Sequence, residues 1–337
     1  MPPLLQDYSY QKQFQFSLIL PLGDRLDYLE KCIESICQQQ HEGSTEILLL
    51  DNAHSETNRE ELELLFGNYR AYFPKQKYTI HYIKHPQFLE VYANINWGLK
   101  LANGQWLYLI HAGDLLLEST LVWFEEIIQQ QPNLDLISGG FYQINQFNEI
   151  LYKSDFLNNK GLVEPRFFEQ FFISNPLQPI TTIYNKALLE KVGYFNTNLA
   201  TGADWELLRR VIKVPNLNWY YLPQYVGAAR SHITNDQSAL SNADVWQILD
   251  ASERYFSPDE QRISKKNRFS QCFQSMEEYL LAGKVDRALS VGLDLVTFSD
   301  LGDRLWLEVL KQQNFKYKQQ MYEMISMLMK QVEITTK

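Results

Sequence analysis

Cysteine is scarce. The 337-residue chain has three, Cys32, Cys37 and Cys272, and their spacing fits neither a zinc site nor a disulfide framework. So low a count suits a reducing compartment. Basic charge is also short: 31 Lys and Arg against 40 Asp and Glu leave a net charge of −9. Non-specific binding to nucleic acid needs clustered Lys and Arg to neutralise phosphates, so it is not expected. No apolar run reaches the roughly 18 residues of a membrane span. The opening MPPLLQDYSYQKQ lacks the basic start and apolar core of a secretory leader. A cytoplasmic location is therefore expected, and peripheral contact with a membrane is compatible with it. Two phosphate-binding signatures are missing as well. No G-x-G-x-x-G follows the first apolar strand, and no G-x-x-x-x-G-K-[ST] occurs, which removes support for a dinucleotide enzyme and a P-loop enzyme.

What is present is the balance of a globular protein, with 45% hydrophobic and 21% charged residues. Aromatics reach 14%, including 20 Tyr and 19 Phe. Such rings serve cores more often than ligand stacking.

The first half alternates two periodicities. FSLILP (16–21) is a short, almost continuously apolar run ended by Pro21, the pattern of a buried strand. Asp24 can cap a helix in which Leu26, Leu29, Ile33, Ile36 and Cys37 recur at three- and four-residue spacing. EILLLD (46–51), YTIHYIKH (78–85) and WLYLIH (106–111) read as further strands. Helices are expected around 56–72, over 91–102 and over 117–131. Strands separated by helices at this spacing imply an α/β fold with a doubly wound, mostly parallel sheet. DLISGGFYQI (135–144), ITTIYN (180–185) and LNWYYLP (217–223) suggest later strands, and ADWELLRRVIK (203–213) a helix. Residues 245–334 read as helices almost throughout. EEYLLAGKVDRALSVGLDLV (277–296) resembles one hairpin of a tetratricopeptide-like repeat, turning at Gly283. Such arrays need about three units, so a helical C-terminal appendage is the preferred reading. The expected division is 1–242 and 243–337.

In an open α/β sheet, ligands bind beyond the carboxyl ends of the strands. The residues there are Pro21–Asp24, Asp51–Asn52, His85 and His111–Asp114. Asp51 could accept a hydrogen bond from a base or ribose, or cap a turn. Asp114 could cap the next segment or meet a ligand, and His111 could be a satisfied strand-end histidine or a ligand group. Asp204 stands near a helix start, where Asp commonly caps.

Six stretches occur in order: FSLILPLGD, EILLLDNAHS, NINWGLKLANGQWLYLIHAGDLL, NKALLEKVGYFN, GADWELLRR and RSHITNDQS. Together they resemble the family 2 glycosyltransferases, inverting enzymes of the GT-A fold, over roughly residues 14–240. The resemblance implies a Rossmann-like GT-A domain that holds a nucleotide-sugar donor in the sheet crevice. It implies transfer with inversion to an acceptor hydroxyl. Pro21 and Asp51 then lie at the base and ribose, and Asn52 stands where a second aspartate is frequent. Asn96 and Gly98 match the family's N-x-G, with Ile95 where an arginine is often found. His111–Asp114 falls on the D-x-D region. There His111 replaces the first aspartate, Gly113 the second, and Asp114 remains. Asp114 and His111 are the implied ligands of Mn²⁺ or Mg²⁺, although hard cations prefer several oxygen donors. His111 could instead meet ribose or phosphate directly.

Asp204 matches the aspartate of the family's E-D motif, the general base that takes the acceptor's proton. Ala203 replaces the acidic residue before it, and Glu206 is either a reserve base or a residue that simply faces solvent. His232 matches the segment in which a histidine reaches the donor phosphates or the metal; Arg230 beside it could pair with a phosphate bidentately, and Ser238 closes the pattern. For the acceptor, residues 171–185 and Trp205 offer aromatic and polar groups. A saccharide, lipid-linked or polypeptide acceptor is compatible. Two rival readings differ in class: a non-catalytic relative that binds a nucleotide-sugar or a partner enzyme, motivated by the lost carboxylates, and a nucleotidyltransferase with a similar core.

Overall fold

A computed structural model describes residues 5–6, 13–22, 27–52, 59–69, 77–155, 160–231, 241–298 and 305–335. The chain forms two compact units. One comprises Met1–Phe168, Asn175–Asn198 and Arg210–Ser238; the other comprises Glu169–Ser174, Leu199–Arg209 and Ala239–Lys337.

The first unit is built on one mixed sheet. Its strands are β1 (Leu5–Gln6), β2 (Phe14–Leu22), β3 (Thr45–Asp51), β4 (Tyr78–Lys84), β5 (Gly104–Leu109), β6 (Leu115–Leu116), β7 (Leu136–Ile144), β8 (Ile150–Lys153), β9 (Gly161–Leu162), β10 (Thr182–Asn185) and β11 (Trp219–Arg230). The order across the sheet is β1-β4-β3-β2-β5-β10-β7-β11-β6, with β8 on β7 and β9 on β11. β4, β3, β2 and β5 run parallel. β10 enters antiparallel between β5 and β7, and β11 returns parallel to β7. The α/β class and the mostly parallel sheet are as the sequence implies.

The helices of this part are α1 (Leu29–Cys37), α2 (Arg59–Asn68), α3 (Val91–Leu101), α4 (Thr120–Gln130) and α5 (Lys186–Val192); α6 (Ala203–Val211) follows, with Ala203–Arg209 in the second unit. Their apolar stripes explain their placement. Leu29, Cys32, Ile33 and Ile36 of α1 pack with Leu18, Leu20, Ile47 and Leu49 of the sheet in one buried cluster, as a three-and-four spacing requires. Asp24 and Leu26, which open the expected helix, lie outside the described residues. β2, β3 and β5 are covered on both faces, which is why they read as unbroken apolar runs.

One expectation fails here. The helix anticipated from 117 starts at Thr120, and Leu115–Leu116 is a strand paired to Gly227 and Ala228 of β11. Ser119 takes a left-handed φ of 68°, so the chain cannot enter the helix earlier. Thr120 Oγ1 then donates to the Val226 carbonyl, 2.7 Å away. β11 likewise outruns its expected span, continuing through Pro223 to Arg230 with register shifts after Leu222.

The second unit is helical: α7 (Asn242–Ser252), α8 (Pro258–Leu281), α9 (Val285–Phe298), α10 (Leu305–Gln312) and α11 (Lys318–Thr335). Trp246, Phe269, Cys272, Phe273, Met276, Leu295 and Ile325 are buried in it. Gly283, at φ 71°, makes the α8–α9 turn, where only a residue without Cβ is unstrained. The helical C-terminal region and its hairpin agree with the sequence.

Candidate active site

The parallel strands β2, β3, β4 and β5 deliver their carboxyl ends to one edge, and the winding reverses between β2 and β5. Such a switch point opens a crevice outside the strand ends. Pro21 lies half-buried there, opposite Leu50 of β3 and beyond the last β2–β5 pair at Ile19. Lacking an N–H, it suits a stretch that no longer needs a donor towards β5.

Asp51 closes β3 and is 0% exposed. Its Oδ2 accepts from the Tyr82 hydroxyl and lies 3.3 Å from Lys84 Nζ. Both partners come from β4, the neighbouring strand. A buried carboxylate is tolerable only with such partners. Asn52 exchanges two hydrogen bonds with Leu89, at 2.7 and 2.9 Å, and so fixes the segment between β4 and α3.

The N-x-G pair holds α3 in its place. Asn96 is buried on α3; its Nδ2 donates to the Phe195 carbonyl at 2.8 Å, and its Oδ1 accepts from the Phe195 amide at 3.0 Å. Gly98 lets α3 lie against the sheet. A Cβ there would sit 2.3 Å from Leu50 Cδ1 and 3.2 Å from Ile19 Cγ2.

The turn after β5 is built tightly. The Asp114 amide donates to the His111 carbonyl at 2.9 Å, and Leu116 N donates to Ser35 Oγ at 3.1 Å. Asp114 is buried, and its Oδ1 accepts from the Arg230 backbone N–H at 2.9 Å. Arg230 is 7% exposed. Its Nε donates to the Gly113 carbonyl at 2.8 Å, Nη1 to the Asn145 carbonyl at 2.6 Å and Nη2 to Asn148 Oδ1 at 2.7 Å. The guanidinium also lies 4.2 Å from the Tyr28 ring centroid. Burial lowers its pKa, with Tyr28, Asp114 and Cys32 opposing that; a guanidinium stays charged regardless. Three of its N–H groups are thus turned onto the protein rather than held out as a bidentate fork. His111 is half-buried, and its imidazole has no hydrogen-bond partner among the described residues. Sequence reasoning placed Asp114 and Arg230 separately. Their tie, and the roles of Tyr28, Tyr82, Asn145 and Asn148, had no signal beyond residue type.

Asp204 belongs to the second unit. It sits half-buried in the first turn of α6. Two neighbours differ from expectation. Trp205 is 2% exposed and donates through Nε1 to the Phe171 carbonyl at 2.8 Å. Phe171 and Phe172 are buried too, so these rings are core and offer no platform to an acceptor sugar. Glu206 is buried rather than solvent-facing, and it supports the charge of Arg209. Burial lowers the Arg209 pKa to about 10, while Ser252 Oγ and the Phe171 carbonyl accept from it at 2.7 and 3.0 Å. His232 and Ser238 lie outside the described residues.

A metal finds few donors. Asp114 and His111 supply one carboxylate and one imidazole, and the carboxylate is already engaged. Among the described residues no group of three or more His, Cys, Asp or Glu could hold an ion. The described residues therefore do not fit a protein-held Mn²⁺ or Mg²⁺, which favours several oxygen ligands. No helix of the described residues is long and apolar enough to cross a membrane.

Known proteins agree with this architecture. The chain is similar to a PGL/p-HBAD biosynthesis glycosyltransferase of Mycobacterium bovis, 23% identical over 231 residues, 68% of this chain and 80% of that protein. Among solved structures, Staphylococcus aureus TarS 1–349 superposes with a TM-score of 0.63 at 15% identity, covering 95% of this chain and 92% of that one. The mannosyltransferase PcManGT of Pyrobaculum calidifontis, in complex with GDP-Man and Mn²⁺, gives 0.53 at 13% identity over 97% and 88%. At such identities the structures establish the fold alone. The sequence model of Glycosyl transferase family 2 matches residues 17–193, more than half of the chain, and the protein is a member of that family.

Proposed function

We propose that this chain moves a sugar from a nucleotide-sugar donor to an acceptor hydroxyl with inversion. The acceptor class is a saccharide, a lipid-linked sugar or a polypeptide. Residues 1–242 carry the transfer and residues 243–337 form a helical appendage. One observation carries the reading. In a family 2 chain, buried Asp51 and the His111–Asp114 turn stand at the carboxyl ends of β3 and β5, the parallel strands on either side of β2, the edge where such sheets take nucleotides.

On this reading Pro21 and Asp51 receive the base and ribose, and His111 reaches the diphosphate with His232. Asn96, Gly98, Asp114 and Arg230 hold the walls of the site. Asp204 takes the proton of the acceptor hydroxyl as its oxygen attacks the anomeric carbon and the bond to the diphosphate breaks. The half-buried position of Asp204 beside Trp205 supports a base at partial remove from water. The few cysteines, all free and buried, suit the cytoplasm, where nucleotide-sugars are to hand, and a lipid-linked acceptor would bring the chain to a membrane surface.

TarS has been solved with UDP and with UDP-GlcNAc, so UDP-sugars come first in a thermal-shift panel with GDP- and dTDP-sugars. A donor at about a hundred times its Kd adds about 2.7 kcal/mol of stability. Asp204→Asn should abolish turnover while donor affinity survives. Near-normal turnover in that variant removes Asp204 from the role. Nucleotide binding without turnover on any acceptor would favour the non-catalytic reading.

A further inference from the structure

The altered turn keeps only one carboxylate, Asp114, but it does not lack a cation. A divalent ion at a D-x-D turn would do two things: draw the chain into one conformation and set positive charge beside the donor phosphates. Here a side chain of the protein already does the first. Arg230 grips the turn twice, through its backbone N–H on Asp114 Oδ1 and through Nε on the Gly113 carbonyl. The oxygen at position 113 is thus a carbonyl facing a guanidinium, where a second aspartate would have brought a ligand.

The same arginine anchors a second loop. Nη1 and Nη2 bond to Asn145 and Asn148, between β7 and β8. That loop is itself closed by Asn145, whose Oδ1 accepts from Phe147 N at 2.8 Å and Glu149 N at 3.0 Å. Asn148 holds a left-handed φ of 65°, a conformation Asn tolerates. The Tyr28 ring covers the guanidinium face, which favours the cation. A fixed positive charge one hydrogen bond from the turn also repels an incoming Mn²⁺.

We infer that Arg230 is a positioning residue that replaces the divalent cation at this turn, so that nucleotide binding by this chain is independent of divalent metal. The inference deepens the donor-site reading of the turn and rests on it.

Three measurements on the full chain test it. UDP and GDP are titrated calorimetrically with MnCl₂ and again with EDTA. For whichever nucleotide binds, the Kd should differ by less than about threefold. Tightening by about tenfold or more with Mn²⁺ overturns the inference. MnCl₂ alone is titrated with protein and followed by its six-line electron paramagnetic resonance signal. The signal should persist, and its stoichiometric loss, undone by Asp114→Asn, overturns the inference. Hydrogen exchange then reads the clamp itself. Arg230→Lys, and more mildly Asn148→Gly, should speed exchange in a peptide spanning His111–Leu116, and unchanged exchange in both variants overturns the positioning role. If neither nucleotide binds, the donor-site reading fails, while the metal and exchange measurements still decide whether the clamp replaces the ion.

Discussion

At Gly98 a single hydrogen in place of a methyl sets how closely α3 approaches the sheet. The Cβ of an alanine there would meet Leu50 at 2.3 and 3.0 Å, and Leu50 is fully buried. Alanine would gain up to about 1 kcal/mol of helix propensity. Forcing a methyl into a filled core costs about 1–3 kcal/mol. Because Leu50 precedes Asp51, the strain falls next to the candidate base-binding carboxylate. Gly98→Ala should therefore lower the urea midpoint and weaken nucleotide binding together. An unchanged midpoint would mean that Leu50 can move freely. This residue also marks what a sequence can tell. The N-x-G spacing and its place before β5 are legible, and so is membership of the family. That Asn96 bonds to Phe195 is not, because the partner lies 99 residues away and a backbone carbonyl leaves no mark in composition. Arg230 is the same case: its partners are carbonyls and an amide, invisible to residue type.

Elements are most legible where a local signal sets both ends. β2, β3 and β5 are apolar runs that end in polar turns, and they appear within two residues of the expected spans. β6 is not legible in the sequence, because two leucines before a helix look like its first turn. Only pairing with Gly227 and Ala228 makes them a strand, and that is tertiary context. α8 illustrates the legible kind. Ser257 accepts from Glu260 N, Glu260 reaches back to Ser257 N at 2.9 Å, and Pro258 stands at the first helical position. This capping box satisfies donors that would otherwise be left open at the helix start. Ser257→Ala should cost about 1 kcal/mol. Amide exchange in the first turn of α8 should then rise about fivefold, with the far end of the helix unaffected. Equal acceleration along all of α8 would show that the helix opens only as a whole and that its cap does not govern local fraying.

At the scale of the molecule, buried titratable groups in the two units respond to acid in opposite senses. His41 of the first unit is buried between the rings of Phe16 and Tyr78, with Nε2 2.7 Å from Thr45 Oγ1. Burial, then the charge of Lys77, lowers its pKa from 6.5 to about 3. Between those values the unfolded chain binds a proton that the folded unit refuses, so stability falls as pH drops from 6.5 towards 3. In the second unit, burial raises the pKa of Asp250 and of Asp294. There the folded form holds protons that the unfolded chain has released. Stability contributed by these two groups is present at low pH and is lost as pH rises through the ordinary carboxylate range. Acidification from pH 7 to pH 5 should therefore loosen the first unit before the second. The His41 contribution alone amounts to up to about 2 kcal/mol over that interval. Urea unfolding at the two pH values, followed by hydrogen exchange in peptides from β2 and β3, measures the slope unit by unit. His41→Gln keeps a polar partner for Thr45 but cannot titrate, so its β2–β3 peptides should lose about 2 kcal/mol less than the wild type between pH 7 and pH 5, whatever its absolute stability. An equal loss in both proteins would move the acid sensitivity of the sheet away from His41.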